Sequence, residues 1–429
     1  MHFWVKWTVL LLTLACVASC QREYIVSPDN PAIPQTDGLI PPRTDCLPKV
    51  YLELPQPVTS RTEWMGDVNI SIQIQQDGQE RTVLEQEGMR IKGRGNSSWN
   101  YPKHSYSILL SQKADLVGSG KSTHWALLAN WMDRTLLRND IAFEMARRTS
   151  LEWAPSGTFV TLYINGEYQG IYWLGERIHV EGSNFKADYL YSYDTSSNKK
   201  EEIAFYSLYG YSATKEQIGD IPIELKHPDI KNYPSREAYE QAVVEPAKEA
   251  LYAVERSIYT PSAPTSRIDV NSFCDWYLLY EVCKNIEPRH PKSCYFYLRD
   301  GMLYAGPVWD FDWATFTPGH RPLLLKNCLY YHQLIPQPSF SGMLKARWRV
   351  LKPQFENMDA YIDARAQFIR AEEDRNHQMW PCYPNPLADD TETMMVNHDE
   401  DLTFQEAVDR LKSAIKERIA DVDLAIRQL

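Results

Sequence analysis

The chain has 429 residues and a formal charge of −11, with acidic and basic side chains interspersed, a balance that gives no surface for nucleic acid and predicts no nucleic-acid partner. Its composition, 44% hydrophobic and 12% aromatic, fills the cores of two or three domains and excludes a disordered protein. Apart from Cys16 and Cys20, the cysteines Cys46, Cys274, Cys283, Cys294, Cys328 and Cys382 show no Cys-x-x-Cys or Cys/His spacing, which argues against a metal–thiolate centre. They leave both up to three disulfides and free buried thiols open.

Lys6, the apolar run from Val9 to Ala15 and the small residues up to Ser19 have the layout of a secretory signal over residues 1–19. The run is shorter than the roughly 20 residues that cross hydrocarbon. Val17-Ala18-Ser19-Cys20 resembles the bacterial lipobox, which implies acylation of Cys20 and an exported protein held to the cell envelope, at the outer membrane or cell surface, by lipid. An ordinary signal cut nearby is the alternative. Residues 20–48, the lipidated cysteine and then a stretch rich in Pro, Ser, Asn, Asp and Thr, read as a flexible linker.

Residues 49–429 form the working domain, and its first part, 49–185, is β-rich. Val68–Ile74 and Met89–Lys92 alternate, with turns such as Asp77-Gly78 between strands. Asp133 predicts the N-cap of a helix reaching Thr149, with Leu137, Ile141 and Met145 on one face. Thr158–Ile164, Asn165-Gly166 and Glu167–Glu176 predict a type I′ hairpin. Residues 190–265 are polar and mixed, with a helical pattern from Glu237 to Tyr259, and read as an insertion or capping layer. Residues 266–429 are mainly helical: a helix from Val270 to Lys284, a second hairpin whose strands Cys294–Leu298 and Met302–Ala305 flank Asp300-Gly301, and an amphipathic segment from Phe404 to Leu429.

Trp309-Asp310-Phe311-Asp312-Trp313 sets two carboxylates among three aromatic rings. Burying unpaired charge is costly, and a hard divalent cation such as Mg²⁺ makes such a pair tolerable; one Asp capping a turn and the other salt-bridged is the structural alternative. Upstream lie Glu281, Asn285 and Glu287, then Lys292 and Ser293 before the hairpin. The order of loop acid, hairpin and metal acid is that of phosphoryl-transfer enzymes of the protein-kinase type. Arg90, Lys92 and Arg94 alternate along one strand and lead into Gly93-Arg94-Gly95-Asn96-Ser97-Ser98-Trp99 and Lys103, a basic set beside a turn whose amides can cradle phosphate, or a plain strand connection. Glu144 falls near the buried helix face and needs a cation, for which Lys92 or Lys103 is the natural partner. Glu176 shares a strand face with Tyr172 and Leu174 and either lines a nucleotide pocket or is an exposed strand-end acid.

Four segments carry a resemblance: Arg94-Gly95-Asn96-Ser97-Ser98-Trp99 with Pro102-Lys103; Leu127-Leu128-Ala129-Asn130 with Asp133 and Leu137-Arg138-Asn139; Asn165-Gly166-Glu167-Tyr168 with Gly170; and Trp309-Asp310-Phe311-Asp312. Together they resemble the CotH kinase family over roughly residues 85 to 320, with a weaker match around Arg418. The resemblance implies an α+β, atypical protein-kinase-like two-lobed fold with antiparallel hairpins and a helical C-terminal part. It also implies ATP and Mg²⁺ as cofactors and phosphate transfer to protein Ser or Thr, spore-coat proteins being the known type of substrate. Carried over, Lys92 or Lys103 contacts the ATP phosphates with Arg94 beside them, Glu144 holds that lysine, Glu176 neighbours the adenine, and Asp310 and Asp312 bind the metal. Asn285, Glu287 and Lys292 form the catalytic set. Where the family commonly has Asn-x-Asp, this chain has Asn285-Ile286-Glu287, one methylene longer. A monomer acting on a protein partner follows, and the rival reading is a non-catalytic surface or adhesion protein on the same fold. A metal-dependent nucleotide-sugar transferase fits less well, because no repeated βα units precede the Asp pair.

Overall fold

The computed structural model describes residues 38–180, 185–195, 203–382 and 396–429. The signal, Cys20 and most of the linker lie outside the described residues. What is described of the linker is docked: the amides of Leu39 and Ile40 donate to the carbonyls of Asp115 and Leu116 at 2.9 and 2.8 Å, and Ile40 and Leu47 are buried.

Seven strands, β1 (Lys49–Glu53), β2 (Met65–Gln76), β3 (Gln79–Arg94), β4 (Ser105–Ala114), β5 (Ser122–Leu128), β6 (Gly157–Ile164) and β7 (Glu167–Glu176), close a barrel in the order β1-β2-β3-β4-β5-β7-β6. Alternation drives the closure: Val68, Ile70, Ile72 and Ile74 of β2, Met89 and Ile91 of β3, Ile108 and Leu110 of β4 and Val160 and Leu162 of β6 share one core. Each such side chain contributes about 1.5–3 kcal/mol relative to exposure. The seam is β1 against β6, in parallel from Lys49↔Thr161 to Leu52↔Ile164, where the sequence pattern predicted antiparallel hairpins only. Both central residues of the Asp77-Gly78, Asn165-Gly166 and Asp300-Gly301 turns have positive φ, as type I′ geometry requires.

Helix α1 (Arg138–Arg147) begins four residues later than predicted. Asp133 does not cap it in the expected frame, because Leu136 is left-handed at φ 61° and interrupts the helix. The Asp133 carboxylate instead accepts from the amides of Thr135 (2.9 Å) and Arg138 (2.8 Å).

A five-stranded sheet follows in the order β14-β13-β8-β12-β9, from β8 (Tyr189–Tyr193), β9 (Phe205–Tyr206), β12 (Pro222–His227), β13 (Cys294–Arg299) and β14 (Met302–Ala305). Residues 190–265 are therefore part of this layer and not a cap on it: β8 and β12 stand inside the sheet, a ribbon of β10 (Tyr211–Ser212) and β11 (Gln217–Ile218) joins them, and α2 (Arg236–Tyr239) leads to α3 (Glu245–Ile258). Val254 and Ile258 of α3 enter a large core with α1 and α4 (Val270–Cys283), which is buried continuously from Ser272 to Cys283. The chain then forms α5 (Tyr331–Leu334), α6 (Pro338–Glu356), α7 (Asp359–Met379) and α8 (Phe404–Gln428), the last opened by a Thr403–Glu406 capping box. Helix α7 packs on β7 and α8, joining barrel to helices. The architecture is α+β, and the cysteines at 46, 274, 283, 294, 328 and 382 are free thiols.

Candidate functional site

A cleft of about 1370 Å³ separates the outer face of the barrel from the loops around the second hairpin. On the barrel side, β3 turns Met89 and Ile91 inward, so Arg90, Lys92 and Arg94 must face out. The β4 partners of Lys92 and Arg94, Ser107 and Ser105, are small enough to leave them room, and Arg90 stands opposite Leu109. The Arg94 guanidinium lies 4.5 Å from the Trp309 ring and faces Asp310 and Asp312. Lys92 lies 5.0 Å from the Trp64 ring, and burial together with Arg177, Lys231 and Arg94 pulls its pKa down to about 8. Among the described residues neither cation has a carboxylate partner within ion-pair distance.

Acids stand on the other side. Lys284 ends α4 in the left-handed region (φ 59°) and anchors the following loop by donating to the carbonyls of Thr317, Pro318 and Gly319. Asn285 is buried and joins the two acidic segments: its Oδ1 accepts from the Glu287 amide at 2.9 Å and its Nδ2 donates to the Asp310 carbonyl at 3.0 Å. Glu287 has one oxygen 3.6 Å from Lys292 Nζ, while the other is buried without a hydrogen-bond partner. Burial, and secondly Asp310, push its pKa up to about 8. Ser293 Oγ donates to Asp310 Oδ2 at 3.1 Å, and Asp310 sits at a left-handed φ of 73°. Burial and the neighbouring Asp310 raise the pKa of Asp312.

The acidic loop is strapped from four directions. Beside Asn285, Asn139 Oδ1 accepts from the Phe311 amide (2.7 Å), Asn397 Nδ2 donates to the Asp312 carbonyl (2.9 Å) and Arg138 Nε donates to the Thr315 carbonyl (2.8 Å). Arg138 is itself paired with Asp133 and Asp399, and Asn139 with Asn130. These contacts hold a non-glycine residue in a costly conformation, a sign of a positioned side chain.

The donors fit a hard divalent cation: two carboxylates two residues apart, a third with an unpartnered buried oxygen, and raised pKa values that a positive charge would relieve. Among the described residues no three His, Cys, Asp or Glu side chains stand ready to hold an ion by themselves. Phosphate and water oxygens would complete the shell, the habit of magnesium.

Of the residues singled out in the sequence, the structure brings Lys92, Arg94, Glu287, Lys292, Asp310 and Asp312 together along this cleft, with Asn285 just behind it. It does not bring in the other three. Lys103 is 2% exposed on the far side of β7, where Nζ donates to the carbonyls of Ala129 and Ile171 and to Asn376 Oδ1. Glu144 does need cations, as its buried helix position implied, but finds them on its own helix: Arg147 at 2.9 Å and Arg148 at 2.8 Å. Residues three and four apart reach one another without any lysine from the barrel. Glu176 is buried outside the cleft lining, its pKa raised to about 7 by burial, and its neighbours Arg177, Ile178 and His179 face the cleft instead. Sequence reasoning missed Trp64, Arg177 and Asn397; the first two became visible only when barrel closure brought β3 and the end of β7 to one wall.

A family profile described as CotH kinase protein matches residues 91–421, from β3 into α8. No curated protein matches the chain significantly.

Proposed function

Because the chain belongs to the CotH kinase protein family, we propose that it is a kinase-type transferase that moves phosphate from ATP to Ser or Thr hydroxyls of proteins outside the cytoplasm. The observation that carries this reading is the opposition, across one cleft, of unpaired cations on β3 to a carboxylate cluster with an unpartnered oxygen. Bound ATP and Mg²⁺ supply the transferable phosphoryl group and the charge that neutralises it as transfer proceeds. The chain's own residues do the rest. Lys92 and Arg94 hold phosphate oxygens, and Asp310 and Asp312 would hold the cation. Glu287 receives or orients the acceptor hydroxyl's proton, with Lys292 favouring its ionised form. Asn285 and Ser293 fix the two acids relative to each other. On this reading the barrel carries the phosphate-binding cations and the loops beside the second hairpin the carboxylates, as the two sides of a kinase-like pair.

The test is transfer of labelled phosphate from ATP to protein. Asp310→Asn and Asp312→Asn each abolish it while leaving the unfolding transition in place; retained transfer in both variants overturns the assignment. The extended acid Glu287 favours a second reading, a binding protein on the same fold, in which partner affinity survives both changes. We further propose that the protein works as a monomer and is lipid-anchored at Cys20, so incorporation of labelled fatty acid disappears in Cys20→Ala.

A further inference from the structure

The cleft is larger and more basic than a nucleotide needs. Small-ligand pockets run to about 300–1,000 Å³, against about 1370 Å³ here. Its lining has nine Lys and Arg against six Asp and Glu, although the whole chain has 45 against 56. The acids are also unevenly placed: Glu224 and Asp229 are taken by Lys226 and Lys231, and Asp194, Glu287, Asp310 and Asp312 gather around the β13 hairpin. That leaves the end of the cleft around Trp64 with an excess of cations, where the acid facing Arg177 is Asp229, already held by Lys231. There the indole of Trp64 is approached by Arg90 at 5.9 Å, Lys92 at 5.0 Å and Arg177 at 6.0 Å, and none of the three has a carboxylate partner among the described residues. Gathering three like charges on one ring is costly unless an anion joins them.

Resting on the phosphotransfer reading, which assigns Lys92 and Arg94 to the nucleotide, we infer that Arg90 and Arg177, set on Trp64, form an acceptor-recognition site that selects Ser or Thr segments flanked by anionic side chains. Guanidinium forks grip carboxylate or phosphoryl oxygens in pairs, so an acidic residue or an already phosphorylated one satisfies the site equally in kind. The site lies at the rim of a cleft, with Arg90 exposed, while the chain as a whole is acidic, a combination that admits a short anionic segment and repels an extended polyanion.

The experiment measures anisotropy of labelled serine peptides on the full-length protein, with a non-hydrolysable ATP analogue and Mg²⁺ present. Three peptides differ only in their flanks: aspartates, phosphoserine or lysines. The aspartate and phosphoserine peptides bind at least tenfold more tightly than the lysine peptide, and the gap closes in Arg90→Glu and in Arg177→Gln but persists in Arg90→Lys. Arg90 is exposed and its side chain makes no hydrogen bond among the described residues, so its reversal leaves the barrel folded. Binding of only one anionic peptide identifies which oxyanion the site takes. Equal binding of all three, or an anionic preference untouched by Arg90→Glu and Arg177→Gln, overturns the proposal. Arg90-dependent binding without any phosphate transfer sinks the phosphotransfer reading and leaves this site standing. Transfer with equal kcat/KM for all three peptides sinks this site alone.

Discussion

Lys103→Met separates two roles that one lysine beside a glycine-rich motif is often given. Its ammonium has three acceptors, the carbonyls of Ala129 and Ile171 and Asn376 Oδ1, and it sits 4.5 Å from the Tyr172 ring. Burial pulls its pKa down, but three acceptors call for three N–H donors, which only the charged form supplies. Methionine keeps most of the volume and removes all three donors. Asn376 Oδ1 retains the Ile171 amide at 2.9 Å, so two buried carbonyls are left without that partner. At about 1–3 kcal/mol for each, offset by the cation no longer buried, the net loss is about 2–4 kcal/mol. Urea unfolding followed by tryptophan fluorescence should show a lower midpoint at unchanged slope. Affinity of the folded variant for ATP with Mg²⁺ should stay within twofold. Lys92→Met should do the reverse, leaving stability within about 0.5 kcal/mol and weakening nucleotide binding about tenfold. A Lys103→Met protein as stable as the parent but unable to bind ATP would refute the reasoning.

Three further outcomes follow from the site and its supports. Glu287 has a folded pKa of about 8 against an ordinary 4.5; the folded state then holds more protons between those values, so metal-free stability falls as pH rises from about 4.5 to 8, and Glu287→Gln removes that decline, worth on the order of 3–5 kcal/mol, in urea midpoints compared at pH 5 and pH 8. Asn139→Ala leaves the Phe311 amide without its acceptor and lets Asp310 and Asp312 shift, so phosphate transfer should fall about 10- to 100-fold in kcat, by analogy with lost outer-shell partners of metal ligands, with a stability loss of only about 1–3 kcal/mol. Arg418→Met strands Glu281, fully buried in α4, and should cost about 3–5 kcal/mol in thermal or urea unfolding.

Local pattern carried far in this sequence where one residue's chemistry decides its conformation. The Asn-Gly and Asp-Gly turns, the helix from Val270, the amphipathic helix from Phe404 and the acid pair at 310 and 312 were all legible, because each depends on residues within a few positions. What was not legible depends on partners far apart in sequence. The parallel seam of β1 on β6 joins residues more than a hundred positions apart, and no alternation within either strand announces it. Helix α1 was placed too early because Asp133 has cap chemistry, yet a left-handed Leu136 intervenes. Charge alone offers Lys92 or Lys103 as the partner of Glu144; the structure satisfies Lys103 with two backbone carbonyls and Asn376, and Glu144 with Arg147 and Arg148 at the end of its own helix. Residues 190–265 looked polar enough for a surface layer because the strands β8 and β12 are short and their intervening loops dominate the composition.

The site and the barrel are also coupled through a single property of β3. Its register against β4 runs without a shift from Arg90↔Leu109 to Arg94↔Ser105, so the alternation that places Met89 and Ile91 in the core is the same one that places Arg90, Lys92 and Arg94 in the cleft. A slip of one residue would exchange the two sets, pushing two arginines and a lysine into an apolar barrel with no carboxylate to meet them. Burying even one such charge costs several kcal/mol, comparable with the net stability of a domain. The cations that repel one another around Trp64 thus destabilise the surface of the folded barrel while excluding the misregistered one. A chain in which Arg90, Lys92 and Arg94 were all replaced by leucine would lose its anion site and, with it, the penalty that selects one register.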